Sequence, residues 1–451
     1  MRFLSGLKYF VNKTATIPLK MRITLTLSII IASVILFDCS SPVEKIANPL
    51  DYAIYLDRVN DEALQRCNEE MGFWSAKLSE VPDSETYRVR LAGLLSSRFA
   101  LTGRIEDIQS SDSLYQLILN STGAGNASIH RAIAGNAITQ HQFREARKEI
   151  LKAFEIGEGK ASSLFMQVDV EIELGNYSGA KTALQKIADK NFFPYLIREA
   201  KIKDHEGKLD TAILLMEKAL EKVKENPSLF LWTQSNLADM YGHAGRVRES
   251  YNAYISVLKQ NPDYDYALKG IAWIAFSHDR NFAEARRIAN HINSKRATPD
   301  MHLFLAEISG LENNPAEKTS QLKLFRQAAT ARKYGDMYNK YLALLDAEEF
   351  SNPSGTILIA QKEIQNRPTP QSYDLLAWGY FRQGNIKEAL SVAQKYIENR
   401  TYEPDALYHL GMIYEANGFS KEARFYLEQA AASSFELGPV IAKEIQEHLN
   451  S

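Results

Sequence analysis

Few residues in this sequence have the spacing that chemistry requires. Of nine histidines, His278, His291 and His302 lie 13 and 11 residues apart, which does not put two imidazoles on one helical face for a metal. No HExxH helix, GxSxG turn or GxxxxGK[ST] loop occurs. "GAGNAS" at Gly123 is a fragment of a glycine-rich loop, but it follows a helical pattern rather than a strand. That context favours a connection between helices over a phosphate cradle. The paired carboxylates Glu69-Glu70 and Glu348-Glu349 read most simply as solvated helix faces. Cys67 has no histidine near it in sequence and reads as a small buried apolar residue. The chain has two cysteines, too few for a disulfide framework, although a bridge between Cys39 and Cys67 remains an alternative. Neither a catalytic constellation nor a cofactor or metal site is expected, and catalytic pairs assembled only in space are left open.

Cys39 is the exception, because of what precedes it. Lys20 and Arg22 form a basic start, and Ile23–Phe37 is an uncharged, mostly apolar run of 15 residues. That suits a signal core and is short for a membrane span, which needs ~20 residues. Met21 could serve as the start. The run ends at Cys39-Ser40-Ser41. The segment resembles a bacterial lipoprotein signal, in which the cysteine becomes a lipidated N-terminus. Asp38 stands where a small residue is usual, and a signal cleaved elsewhere or an uncleaved anchor are the alternatives. The resemblance implies lipidation at Cys39 and, with Ser40 following, an outer-membrane lipoprotein facing the periplasm or the cell surface.

Composition narrows the classes further. The chain has 451 residues, 45% apolar and 24% charged, as in a folded soluble protein. Its formal charge is −2. Residues 1–38 hold five basic residues and one acid, so the remainder carries 48 basic and 54 acidic residues. A mildly acidic remainder without a basic stripe is not drawn to nucleic acid.

The elements that must position any site are repeats. "GNYSGAKTAL", "GKLDTAILLM", "GRVRESYNAY", "GNIKEALSVA" and "GFSKEARFYL" each begin with a turn glycine, carry a small residue five places on, and continue apolar. The fifth-place residue recurs at Ile108, Ala146, Ala180, Ala212, Ser250, Ala285, Thr319, Thr356, Ala389 and Ala423. The steps run 38, 34, 32, 38, 35, 34, 37, 33 and 34, which marks a repeat architecture. Each unit reads as two helices. In Pro404–Ser434, Leu407, Leu410 and Tyr414 share one face, Gly418 ends the first helix, and Ala423, Leu427 and Ala430 line the second.

The pattern Leu407, Leu410-Gly411, Tyr414, Gly418, Ala423, Leu427 and Ala430 resembles the tetratricopeptide repeat (TPR). The match covers residues 86–437, strong in five units and loose in the rest, with Asn313-Asn314 or "SNPSG" standing in for the turn glycine and an apparent insertion after Gly103. The resemblance implies an all-α, right-handed superhelical solenoid of about ten helical hairpins. Residues 1–38 would be the signal, 39–48 a tether, 49–85 an N-terminal helical cap, and 438–451 a C-terminal capping helix.

In this family, ligands usually lie on the concave side, lined by the first helix of each pair. The register puts Trp273, Phe276, Trp378, Phe381, Arg382, Tyr408, Met412, Asp239 and His243 on that side. Such aromatics either bind a peptide or sugar, or pack on neighbouring first helices and fill the wall. The positions of Ser235, Asp239 and His243 do not supply the Lys and Asn of a carboxylate clamp. The leading expectation is a non-enzymatic scaffold that holds a protein or peptide in its groove and is anchored to an envelope membrane through Cys39. Glycan capture and an enzyme with a spatially assembled site are the other classes.

Overall fold

A computed structural model describes residues 44–57, 61–122, 126–296, 298–331 and 334–451. The expected signal 1–38, Cys39 and Gly123–Gly125 of the glycine-rich fragment lie outside the described residues. Two helices come first, α1 (Pro49–Leu56) and α2 (Glu62–Glu80). Ten helical hairpins follow: α3 (Glu85–Thr102) with α4 (Ile105–Thr122), α5 (Ala127–Thr139) with α6 (Phe143–Ile156), and α7 (Lys160–Glu173) with α8 (Tyr177–Gln185). Next are α9 (Phe193–His205) with α10 (Leu209–Glu221), α11 (Pro227–His243) with α12 (Val247–Gln260), and α13 (Asp265–Trp273) with α14 (Phe282–Lys295). The series ends with α15 (Pro299–Leu311) and α16 (Pro315–Ala331), α17 (Asn339–Glu348) and α18 (Pro353–Asn366), α19 (Pro370–Arg382) and α20 (Ile386–Tyr396), and α21 (Pro404–Ala416) and α22 (Ser420–Ala431). A last helix, α23, spans Ser434–Leu449. The described residues contain no strand, and the chain is an all-α solenoid.

Local chemistry sets where each helix starts and stops. The first helices of four pairs begin on Pro227, Pro299, Pro370 and Pro404, where the missing N–H costs nothing. Asn226 and Thr369 cap two of them by accepting from the N–H of Leu229 and Ser372. Each hairpin turns on one left-handed residue. Six are Gly103, Gly175, Gly207, Gly245, Gly384 and Gly418; the others are His141, Arg280, Asn313 and Ser351, with φ between 50° and 57°. The fifth residue after the turn docks on the preceding helix. Ile108, Ala146, Ala180, Ala212, Ser250, Ala285, Thr356, Ala389 and Ala423 are all exposed by 3% or less. At Gly411 a Cβ would come within 2.6 Å of the Leu427 side chain, so the two helix axes require glycine there.

Two expectations change. In the seventh hairpin the left-handed residue is Asn313, so the fifth place falls on Lys318, and Thr319 is exposed. The Lys318 stem lies over Gly310 while its ammonium reaches Glu349 at 2.7 Å. A long side chain with an apolar stem thus does the work of a small residue. After Gly103 there is no insertion: α4 starts two residues later and is simply long. The sixth hairpin has its own irregularity, since α13 continues into a π turn over Ile274–His278. There the N–H of Asn281 reaches back six residues to the Ala275 carbonyl, at 2.8 Å.

Stacked hairpins coil, and from Lys45 onward the coil forms one unit whose windings touch. Arg367 donates to Glu173 at 3.1 Å, 194 residues away. The Asp336 N–H bonds the Gln140 carbonyl at 3.3 Å, and Asn366 bonds the His141 carbonyl at 2.6 Å. Gly207 abuts the Tyr402 ring, and Gly242 the Phe435 ring. The seam continues at the N-terminus, where Arg296 pairs with Asp61 at 2.5 Å, 235 residues away. These separations correspond to about six repeats per winding. The turn of one hairpin therefore seats against the connection between two hairpins of the next winding.

The ends close the coil in a way the sequence does not suggest. Within the expected cap, α2 covers the first hairpin by packing Cys67 and Met71 on Leu95. Helix α1 instead crosses the seam: the Ile46 and Ala47 N–H groups donate to Asp279 at 2.9 and 2.8 Å, and the Tyr52 hydroxyl donates to Glu284 at 2.8 Å. Helix α23 is two pieces kinked at Gly438 (φ 78°, ψ 172°) before Pro439. Its second piece buries Ile445 with the last hairpins, as a closing helix should. Its first piece crosses to α11 and the π turn.

Two stability outcomes follow from the turns and the seam. Gly245→Ala meets no atom within 4 Å, so its cost is conformational alone, about 1–2 kcal/mol; urea midpoints read it. Arg367→Ala removes the guanidinium shared by Glu173 and the 1%-exposed Glu363, and should cost about 3–5 kcal/mol in the same assay. A loss below 1 kcal/mol would mean that the seam does not form in solution.

Candidate functional site

The sequence-predicted groove residues come together in two clusters, and both are packed. In the first, Trp378 is 2% exposed and sandwiched between Phe381 at 4.7 Å and His409 at 4.0 Å. Its indole N–H donates to Glu348, which also holds Arg382 at 2.7 Å. Tyr408 is buried and donates to Glu444 of α23 at 2.8 Å. Met412 and Phe381 are half-buried against this core, and Arg382 is exposed. In the second cluster Phe276 is fully buried among Trp273, Phe282 and Phe304. Trp273 Nε1 and Ser277 Oγ donate to the Phe435 carbonyl at 3.0 and 2.7 Å. Asp239 accepts from Tyr254 and Tyr266, and His243 lies 3.9 Å from Glu436.

The expectation of open aromatics in a concavity is therefore corrected for Phe276, Trp378 and Tyr408, and Trp273 is largely covered. The reason is local packing: Trp378 stacks on His409 of the next first helix, Phe276 packs edge-on against Phe304 of the next, and α23 crosses both clusters. The wall-filling reading describes these side chains.

What the interior presents instead is polar. Tyr266 on α13 is 49% exposed and Tyr341 on α17 is 45% exposed. They are close enough for Tyr341 to contribute to raising the Tyr266 hydroxyl, where burial is the main cause. Further along, carboxylates from separate elements converge: Asp204 of α9, Glu307 of α15, Glu403 before α21, Asp405 on α21, and Glu436 of α23. Asp204, Glu307 and Glu403 are exposed to water. Glu307 is nevertheless pushed up to about 7, by desolvation first and then by Asp405, with Glu349 adding and Lys318 opposing. Water reaches the carboxylate, so the desolvation comes from surrounding walls rather than from atoms packed on it. Glu403 and Glu436 are raised for the same first reason, and each feels Asp405. Asp204 is raised by desolvation, with His243 opposing. Burial also acts on Asp405, but Lys340 at 2.7 Å outweighs it and holds that carboxyl low.

A cavity of about 30 Å³ opens beside these groups, lined by Lys340, Asp374, Glu403, Asp405 and His409 among others. His409 Nδ1 lies 2.9 Å from Asp374 Oδ2. Burial works against the imidazolium, but Asp374 and Asp405 outweigh it and raise the ring above its usual value. Among the described residues no group of three His, Cys, Asp or Glu side chains could hold a metal ion. Sequence reasoning missed the acidic cluster, because its members come from units far apart in the chain. Only Asp405 lies in Pro404–Ser434, the repeat with the fullest pattern.

Residues 375–439, covering most of α19 through α22, match the family model described as tetratricopeptide repeat. No curated protein matches the chain. Among solved structures it is similar to a tetratricopeptide repeat protein from Parabacteroides merdae, at 16% identity over 64% of this chain and 98% of that one, with a TM-score of 0.33. It is also similar to yeast Tom70, at 13% identity over 89% and 100%, TM-score 0.37. A third is YrrB, described as a TPR protein with an unusual peptide-binding site, at 17% identity over 43% and 95%, TM-score 0.26. In the matched segment, Leu410-Gly411, Tyr414 and Ala423 are all buried between helices.

Two outcomes test this description. Trp378→Ala should lower stability by about 3–5 kcal/mol in urea unfolding, as expected for a buried ring. A change under 1 kcal/mol would return Trp378 to an open groove. Glu307→Gln tests the interior's polarity. A carboxyl raised in the fold favours the folded state when protonated, and that contribution is lost as pH climbs from about 4.5 through about 7. The variant should match the parent at pH 4.5 and exceed it at pH 8, by under about 1 kcal/mol because water screens the site. Equal urea midpoints at both pH values would mean that Glu307 is fully solvated.

Proposed function

We propose that this chain is a membrane-anchored interaction scaffold that holds a segment of a protein partner along the inside of its coil. The TPR fold supports protein–protein interaction as the general role. The observation that carries the finer reading is the inner face itself. It keeps ionisable and aromatic side chains in water, among them Tyr266, Tyr341, Glu307, Glu403 and Arg382, while the apolar residues around them are packed away. A surface whose only task was to close the coil would pair its charges; Asp204, Glu307 and Glu403 lie within salt-bridge distance of no cation among the described residues. Lipidation at Cys39 would place the scaffold on a bacterial envelope membrane, with two or more acyl chains giving stable residence. A glycan reading drew on open tryptophans and loses support with Trp378 buried.

Photo-crosslinking in cells tests the groove. A photoreactive residue in place of Tyr341 or Arg382 should capture a partner, whereas one in place of Phe425, exposed on the second helix α22, should not. Equal capture from Phe425 would move the binding face outward. Fatty-acid labelling that persists in Cys39→Ala would remove the anchor from the proposal.

A further inference from the structure

We infer that the segment bound inside the coil is basic and extended, and that one lysine ammonium of it enters the cavity at Asp374. This rests on the scaffold reading above and specifies the partner's chemistry.

Three observations converge. First, the cavity of about 30 Å³ exceeds the 10–15 Å³ that one water-sized group needs. It admits an ammonium, and a planar guanidinium fits poorly. Second, Asp374 lines it, is 5% exposed, and has an Oδ1 with no hydrogen-bond partner. Its other oxygen is taken by His409. A carboxylate oxygen buried and unpaired is costly, and a charged donor entering the cavity would satisfy it. Third, the remaining charges there are unequally matched. Lys340 pairs with Asp405, Arg367 pairs with Glu363 and Glu173, and His409 pairs with one oxygen of Asp374. Glu403 is left with a hydrogen bond from Gln371 and no salt bridge.

The surroundings extend the same preference along the coil. Asp204 lies near enough to Glu403, and Glu307 near enough to Asp405, to add to the negative field at the pocket. The exposed rings of Tyr266 and Tyr341 offer faces over which a cation is attracted. Neutralising several like charges that repel one another adds a second favourable contribution, beyond any single pair. This run of separate acceptors suits a chain that passes through extended, with cationic side chains at intervals, better than a folded domain.

The test uses the full-length protein in detergent and fluorescent dodecapeptides. The repeats are Lys-Gly-Ala, the same with acetylated lysines, Arg-Gly-Ala and Glu-Gly-Ala. The lysine peptide should bind. Acetylation should weaken it at least tenfold, arginine should bind several-fold more weakly than lysine, and the glutamate peptide should not bind. Glu403→Gln, at an exposed position, should weaken the lysine peptide about three- to tenfold. Asp374→Asn should do at least as much and should remove the preference for lysine over arginine, with helical content by circular dichroism showing that the variant is folded. Glu221→Gln on α10, outside the coil, should change nothing. The inference is overturned if acetylated and free lysine peptides bind alike, or if Glu221→Gln weakens binding as much as Glu403→Gln. If those results come with continued in-cell capture from Tyr341, the scaffold stands and only its basic ligand falls; loss of capture would remove the scaffold reading itself.

Discussion

The guanidinium of Arg367 joins two windings of the coil. On its own winding it binds Glu363, and across the seam it reaches Glu173 and lies 5.5 Å from the centre of the Phe143 ring. Arginine suits this place because a planar, permanently charged fork can satisfy two carboxylates and cover an aromatic face at once. The windings need such contacts, since a stack of hairpins by itself fixes only nearest neighbours. Once the windings touch, the coil is held as one unit. First-helix residues such as Tyr266, Tyr341 and Glu307 still meet water.

The acidic groups show the consequence most directly. Glu307 and Glu403 are reached by water, yet their carboxyls hold protons more tightly than usual because protein walls replace much of the solvent around them. The large aromatics respond in the opposite sense. Trp378 and Phe276 pack on rings of neighbouring hairpins, and they become part of the wall. Recognition then passes to polar groups and tyrosines, which tolerate a wet, confined passage.

Helix α23 is more than an end cap. Its break at Gly438-Pro439 lets one helix serve two surfaces: Glu444 receives the Tyr408 hydroxyl on the last hairpins, and the Phe435 carbonyl receives Trp273 and Ser277 on the sixth. The π turn next to Trp273 adds a residue before the left-handed Arg280 and presents Asp279 to the chain before α1. Both ends of the described chain thus fasten to the same hairpin.

The repeat itself was legible because its causes are local. A left-handed residue ends one helix, and the residue five places on meets that helix, so spacing along the chain reports the hairpin. Where glycine is absent, the reading holds if the left-handed position can be located. With Asn313 and Asn314 adjacent, it slipped by one residue to Thr319, and Lys318 was overlooked because its stem, not its charge, fills the gap. The number of hairpins and their class were therefore legible in the sequence. How tightly they wind was not, because that depends on contacts such as Arg367 with Glu173, between residues 194 apart and without any periodic signature. Register can say which face of a helix points inward. Only the closed coil decides whether that face meets solvent, another helix or a carboxylate from the next winding.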